Sequence, residues 1–589
     1  MTDAKGWLAR VRELEASGDL LLAYDIALQG LAEHPDDAWL AHRAVLNLAK
    51  SGATGRARAE FTRLGLDRSK EVDIRSLGAR IAKDDALSAS GAERTASLRR
   101  AADLYEDIYV ETGVYYPGIN AATLRLLGDE EDRASRLAGE LLAELRKPAA
   151  SQEDAYYRAA SEAEAALILR DLPAASDALS RAAAASSDLA ARATTRRQLR
   201  LICAAHGIDE AVLDALAPPT VMCYAGHIIA APGATGRFPA EQEEHVAKAI
   251  AELLERQKVG FGYGALAAGA DILFAEALLA RGAELHVVLP FTREEFVDVS
   301  VAAPKGRWVE RFEACLKRAR SVTYATSDSY LGHDAIFAYG SMVTMGLAVL
   351  RARFLDAEVR QAAVWDGQET TGLAGTGFDV RTWRALGRPS DIIPCGGKSP
   401  AQHVAESPES GGKGRALRAL LFGDVKGFSK LKEVQIPLFV EHILGAIGGV
   451  LDRYGKDVLH SNTWGDGLYV VLSGAEVGAR CALDLQEAFS KLDPPSLGLP
   501  DFMAFRLGGH FGPVFETWDP VLKANAYMGA HVSRTARIEP VTPPGEVYVT
   551  EQFAARLALE RGAYDCNYVG VMPAAKDFGV MRMYHLDAR

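Results

Sequence analysis

Two aspartates, Asp424 and Asp466, stand 42 residues apart, each at the end of a short apolar run. Asp424 closes the segment Ala419-Leu420-Leu421-Phe422-Gly423-Asp424, so its carboxylate emerges where a buried strand ends. Asp466 interrupts HSNTWGDGLYVV (460–471), where two apolar runs are broken by Gly-Asp-Gly. Asp-Gly is a strong hairpin signal, because glycine accepts the positive φ of a two-residue turn. A turn explains Asp466 taken alone, and a helix start explains Asp424 taken alone. Brought to one sheet edge, the two become a carboxylate pair suited to hard divalent cations. Two such ions can clamp the attacking and leaving oxygens of an in-line displacement at phosphorus. The loop Lys426-Gly427-Phe428-Ser429 is expected to lead into a helix, with its amides free to cradle phosphate oxygens.

Convergence of the pair depends on the elements around it. After the first strand comes helical spacing in VQIPLFVEHILGAIGGVLDRYG, then the hairpin that carries Asp466. A second helix, GAEVGARCALDLQEAFSKL, and a strand, FMAFRLGGHFG, follow. The order β-α-β-β-α-β is the ferredoxin-like unit, in which the first strand lies beside the central hairpin. That topology is expected to bring Asp424 and Asp466 to one edge of the sheet.

Upstream, residues 1–215 read as successive amphipathic helices rich in Ala, Leu, Arg and Glu. Gly18 and Ala23 recur as Gly52 and Ala57, a 34-residue step that matches the tetratricopeptide period. A non-repetitive helical bundle is the alternative; in either case this part offers a surface to a protein partner and no chemical constellation. Residues 219–393 alternate strands and helices, which implies a Rossmann-like parallel sheet with ligands at the strands' carboxyl ends. A segment dense in Gly, Pro and Ser (394–415) reads as a linker to the last domain, 416–589.

The chain has 589 residues, 49% hydrophobic and 24% charged, a composition expected to divide into several domains. Its net charge of −12 argues against a general nucleic-acid binder. Six scattered cysteines with no CxxC read as reduced thiols rather than disulfides or a zinc site. The start is charged and amphipathic, unlike a signal peptide. The longest uncharged run, 335–350, is shorter than the ~20 residues that span a bilayer, so a buried helix and a cytoplasmic protein are expected.

Residues 416–589 resemble the catalytic domain of class III nucleotidyl cyclases. Phe422–Ser429 is similar to that family's first metal-binding strand and loop, and Trp464-Gly465-Asp466 to its second metal-binding turn. AYMGAHVSRTARIEP (526–540) is similar to its later G-x-x-V-N-x-A-x-R pattern at Gly529, Val532, Thr535 and Arg537. The resemblance implies two Mg²⁺ or Mn²⁺ ions held at Asp424, Val425 and Asp466, with phosphates on Gly427, Phe428 and Ser429. It implies attack of a ribose 3′-hydroxyl on the α-phosphate of a nucleoside triphosphate, with pyrophosphate leaving. Arg537 would come from a second subunit, hence a homodimer, and Ser533 replaces the family's Asn. Lys576 is a further candidate phosphate contact.

Base choice in the family rests on Lys with Asp for adenine or Glu with Cys for guanine. Here the aligned residues are Asn462 and Ala526, which match neither pair. Together with NTWGDGLYVV this resembles the bacterial pyrimidine cyclases of anti-phage Pycsar systems, which make cUMP or cCMP. An adenylate cyclase is the first alternative, and a silent cyclase-like module with a nucleotide-sensing domain the second. Residues 220–390 resemble the SLOG superfamily, which implies a nucleotide-like ligand near Gly226, Gly262, Gly264, Asp271, Gly375 and Thr376. The hydrolytic loop of that superfamily, PGGxGTxxE, is replaced here by Trp365-Asp366-Gly367 and Gly375-Thr376.

Overall fold

The computed structural model describes residues 3–17, 20–50, 54–147, 155–185, 188–369, 372, 374–396, 414–560, 562, 564–573 and 579–588. The chain forms two compact units. One is Met1–Pro218 with Phe354–Ala357 and Tyr568–Gly570; the other is Pro219–Arg353, Glu358–Asn567 and Val571–Arg589.

Helices follow one another through the first unit, from α1 (Ala4–Ser17) and α2 (Leu20–Glu33) through α6 (Gly91–Thr112), α7 (Tyr115–Leu127) and α8 (Glu131–Leu145) to α11 (Leu189–His206). Ala23 and Ala57, the residues of the 34-residue step, are fully buried, while Gly18 and Gly52 lie outside the described residues. Small residues set the helix spacing. A Cβ added at Gly118 would lie 2.8 Å from the Tyr109 ring and 2.9 Å from Leu141, so glycine there lets α7 approach α6 and α8. Arg125 is buried and stays charged by pairing with Asp103, Glu106 and Glu130 at 2.5, 2.7 and 2.7 Å.

The second unit opens with six parallel strands: β1 (Thr220–Gly226), β2 (Val259–Gly264), β3 (Glu284–Leu289), β4 (Ser321–Tyr324), β5 (Val359–Val364) and β6 (Ser390–Ile393). Their order is β4-β3-β2-β1-β5-β6, so the winding reverses between β1 and β5. Connecting helices are α12 (Glu243–Arg256), α13 (Ala270–Ala280), α14 (Trp308–Arg318), α15 (Ala335–Leu355) and α16 (Thr376–Ala385). Gly262 and Gly264, expected in a glycine loop, lie inside β2 instead. Side chains there would run into Leu278 and the Tyr224 ring, so both glycines serve helix–sheet and strand packing.

A second, eight-stranded sheet follows: β7 (Arg415–Lys426), β8 (Val458–Trp464), β9 (Gly467–Leu472), β10 (Ala504–Asp519), β11 (Ala524–Met528), β12 (Val547–Thr550), β13 (Tyr564–Pro573) and β14 (Val580–Ala588). The run β10-β7-β9-β8 is antiparallel and has the expected ferredoxin-like order. Its helices are α17 (Gly445–Tyr454), α18 (Ala475–Ser490), α19 (Ala530–Thr535) and α20 (Glu551–Ala558).

The two sheets share one compact unit, where separate domains joined by a linker were expected. Residues 397–413 of that linker lie outside the described residues. Helix α15 is one of the elements that join the sheets. Tyr339 donates its hydroxyl to the Phe511 carbonyl at 2.9 Å, and Gly346 lies so close to the Ala555 carbonyl that any side chain would collide with it. Ala335–Leu355 and Glu433–Asp457 are long and apolar enough to cross a membrane by length and composition, with 72% and 22% of their most apolar windows buried.

Candidate active site and a second cavity

Asp424 pairs in register with Gly467 of β9, which sets Asp466, the preceding turn residue, next to it. The Asp466 carboxyl is held above the usual carboxylate range, first by burial and then by Asp424, with which it shares a hydrogen bond. In the turn it is Gly465, not Gly467, that carries the positive φ, at +68°. The positive φ of the turn is therefore supplied at 465 and not by the glycine that follows Asp466.

Two further charged groups join the pair, Arg506 of β10 and Glu539 in the turn beyond α19. Arg506 stands opposite Asp424 in register and donates from Nη2 to Asp424 Oδ2 at 2.9 Å. Its Nε also lies 2.5 Å from Glu539 Oε1. Burial pushes Glu539 up to about 7; Arg506 opposes that shift, and the nearby Asp424 and Asp466 add to it. The available signal was a lone arginine within the mostly apolar strand FMAFRLGGHFG.

The two aspartates supply hard oxygen donors, and their mutual charge is only partly balanced by Arg506, so the pair fits a divalent cation. Among the described residues no group of three or more His, Cys, Asp or Glu side chains is gathered to hold an ion. Phosphate and water oxygens would have to complete any coordination, as is usual for Mg²⁺ at phosphoryl-transfer sites.

Val425 is fully buried beside Asp424. Gly427 has φ +97°, and an added Cβ would lie 2.6 Å from the Phe502 ring. The loop runs into a single 3₁₀ turn, Phe428–Lys430, and α-helix begins only at Ile436, so the expected direct passage from loop to helix is absent. Phe428 packs on Phe439 with ring centroids 4.8 Å apart, and Ser429 is exposed.

Asn462 is exposed on β8 opposite Tyr469, and Ala526 is buried on β11 opposite Thr517. Aromatic rings bridge β8 and β11: His460 and Tyr527 lie 6.1 Å apart, and Tyr469 stacks on Phe422 at 4.7 Å. Trp464 is 54% exposed and is not a core residue.

Ser533 lies on α19 and Arg537 in the turn that follows it, on a different element from the carboxylate pair. A buried chain of hydrogen bonds fixes α19: Thr550 to His510 at 2.8 Å, His510 to His531 at 2.6 Å, and His531 to Thr326 at 2.9 Å. Burial holds both histidines well below their usual pKa, hence neutral. Lys576 lies outside the described residues.

A second site opens where the parallel sheet reverses, the usual ligand position in doubly wound sheets. This cavity of about 500 Å³ is lined by Gly226, Asp271, Gly375 and Thr376 of the expected ligand set. Gly262 and Gly264 are not in its wall. Arg237 also lines it, but its guanidinium is held by Asp366 at 2.6 and 2.7 Å. His227 is fixed between Asp366 at 3.2 Å and Thr376 at 3.3 Å.

Residues 23–125 match the family model of Tetratricopeptide Repeats-Sensor, so the N-terminal helices include tetratricopeptide repeats. Among solved structures, the chain is similar to the guanylate cyclase domain of RhGC from Catenaria anguillulae in complex with GTP (19% identity, 29% of this chain and 97% of that one, TM-score 0.26). It is similar also to the adenylyl cyclase CyaB from P. aeruginosa (17%, 30% and 96%, 0.27) and to an adenylate cyclase from Trypanosoma brucei (22%, 29% and 89%, 0.25). No curated protein matches the chain.

Proposed function

We propose that the chain is a nucleotidyl cyclase that converts a nucleoside triphosphate to a 3′,5′-cyclic monophosphate and pyrophosphate. The observation that carries this is the convergence of Asp424 and Asp466 at neighbouring positions of paired strands. Asp424 and Asp466 are the residues that would hold Mg²⁺ or Mn²⁺, with Val425 next to them. The bound ion supplies Lewis-acid polarisation of the phosphate and eases deprotonation of the 3′-hydroxyl. The loop Gly427-Phe428-Ser429 faces the phosphates, and Arg537 from a second copy of the chain brings positive charge to the transferring phosphate.

Pyrimidine substrates, UTP or CTP, are the proposed choice. Asn462 can both donate to and accept from a base edge, and Ala526 offers no polar group. An adenylate cyclase is the second reading, since the Asn462 amide can also donate to and accept from an adenine edge.

The test is a product assay of the whole protein with Mn²⁺ and each of ATP, GTP, CTP and UTP. A cyclic pyrimidine nucleotide is expected. Asp466→Ala should lower turnover by about a hundredfold or more, since several kcal/mol of charge stabilisation are lost. Cyclic AMP alone would overturn the base assignment, and turnover unchanged in Asp466→Ala would overturn the site.

A further inference from the structure

The cavity of the parallel sheet has a chemistry at odds with a phosphate-bearing ligand. Asp271 and Asp379 both line it, and each is only 7% exposed. Asp271 accepts the Ala267 backbone N–H on Oδ2 at 3.2 Å, and the Asp379 carboxyl takes a hydrogen bond from Ser341. The Oδ1 atom of each carboxyl is buried with no hydrogen-bond partner. Burial pushes both groups up to about 7, and the charge of Asp379 adds to the shift at Asp271.

Leaving buried acceptors unpaired costs free energy that a bound donor can recover. Asp271 and Asp379 sit in the first turns of α13 and α16, where each carboxyl covers a helix end that would otherwise attract an anion. Arg237 is engaged with Asp366, and no lysine is among the residues lining the cavity. Tyr224, Phe296 and Phe337 supply apolar and aromatic wall.

We propose that this cavity binds a small organic cation with at least two N–H donors, a guanidinium, amidinium or diamine, seated between Asp271 and Asp379. Charge pairing with desolvated carboxylates gives the affinity, and the aromatic wall packs against the ligand's carbon chain. The site is independent of the cyclase reading, because neither carboxyl belongs to the Asp424–Asp466 pair.

The test is isothermal titration calorimetry and thermal unfolding of the full chain with agmatine, which carries a guanidinium and a primary amine. Adenosine and AMP are the neutral and anionic comparisons. Agmatine is expected to bind and to raise Tm, and AMP to do neither. Asp271→Asn and Asp379→Asn, which keep side-chain shape, should each weaken agmatine at least about tenfold. No binding of agmatine at millimolar concentration overturns the proposal; so does binding that survives in both variants, or binding of adenosine or AMP in its place. The calorimetry on the unaltered protein decides the matter even where a variant folds poorly, and because it reads no cyclic nucleotide its failure is distinct from failure of the cyclase reading.

Discussion

Arg506 lies across the strand from Asp424, so the carboxylate pair comes with an internal cation. Replacing it with glutamine leaves Asp424, Asp466 and Glu539 facing one another without a counter-charge. Breaking such a partly buried pair should destabilise the protein by about 2–3 kcal/mol in metal-free buffer. Mn²⁺ should then recover more of the melting temperature in Arg506→Gln than it adds to the unaltered protein, because an ion bound only to the folded state stabilises it. Differential scanning calorimetry with and without Mn²⁺ checks both halves.

Asp271 gives a pH dependence of definite sign. Its folded pKa of about 7 lies above the unfolded value of 3.8, so between these pH values the folded state keeps a proton that the unfolded state releases. Stability should therefore fall as pH rises from about 4 to 7. Asp271→Asn should flatten that fall, by on the order of 2–4 kcal/mol at pH 8. Urea unfolding at pH 5 and pH 8 measures it.

At the scale of elements, α15 has two loaded faces. Phe337, Ser341 and Thr344 border the cavity, while Tyr339 and Gly346 touch β10 and α20 of the other sheet. Gly346→Ala pushes a methyl group into the Ala555 carbonyl and should lower stability by about 1–3 kcal/mol, read as a drop in Tm. Through Tyr339, which meets His531 edge-on at 5.7 Å, α15 also supports α19, the helix that carries Ser533 and precedes Arg537.

At the scale of the whole molecule, an exposed apolar face is open to the proposed homodimer. Val434, Ile436 and Val440 are 77%, 42% and 52% exposed on the apolar stretch Glu433–Asp457, an uncovered hydrophobic face of the kind that marks an interface. With a homodimer proposed, Val440→Glu should shift sedimentation velocity toward the monomer without lowering Tm. An unchanged dimer would place the contact elsewhere.

Much of this protein is set by short-range pattern. The helical period of the first 215 residues, the strand–helix alternation from 219, and the β-α-β-β-α-β order around the two aspartates follow from side-chain periodicity and turn chemistry, which act over a few residues. Asp424 and Asp466 were legible as a pair because the ferredoxin-like order fixes which strands are neighbours. Arg506, Glu539 and Asp379 became meaningful only in three dimensions. Their partners lie tens to hundreds of residues away, and burial, which sets their charge, is a property of the folded core. The glycines of β2 show the converse: the spacing of Gly262 and Gly264 suggests a binding loop, but Leu278 and Tyr224 fill the space that their side chains would need. Close packing, which no local pattern encodes, decided that glycine was needed there for room rather than for a ligand.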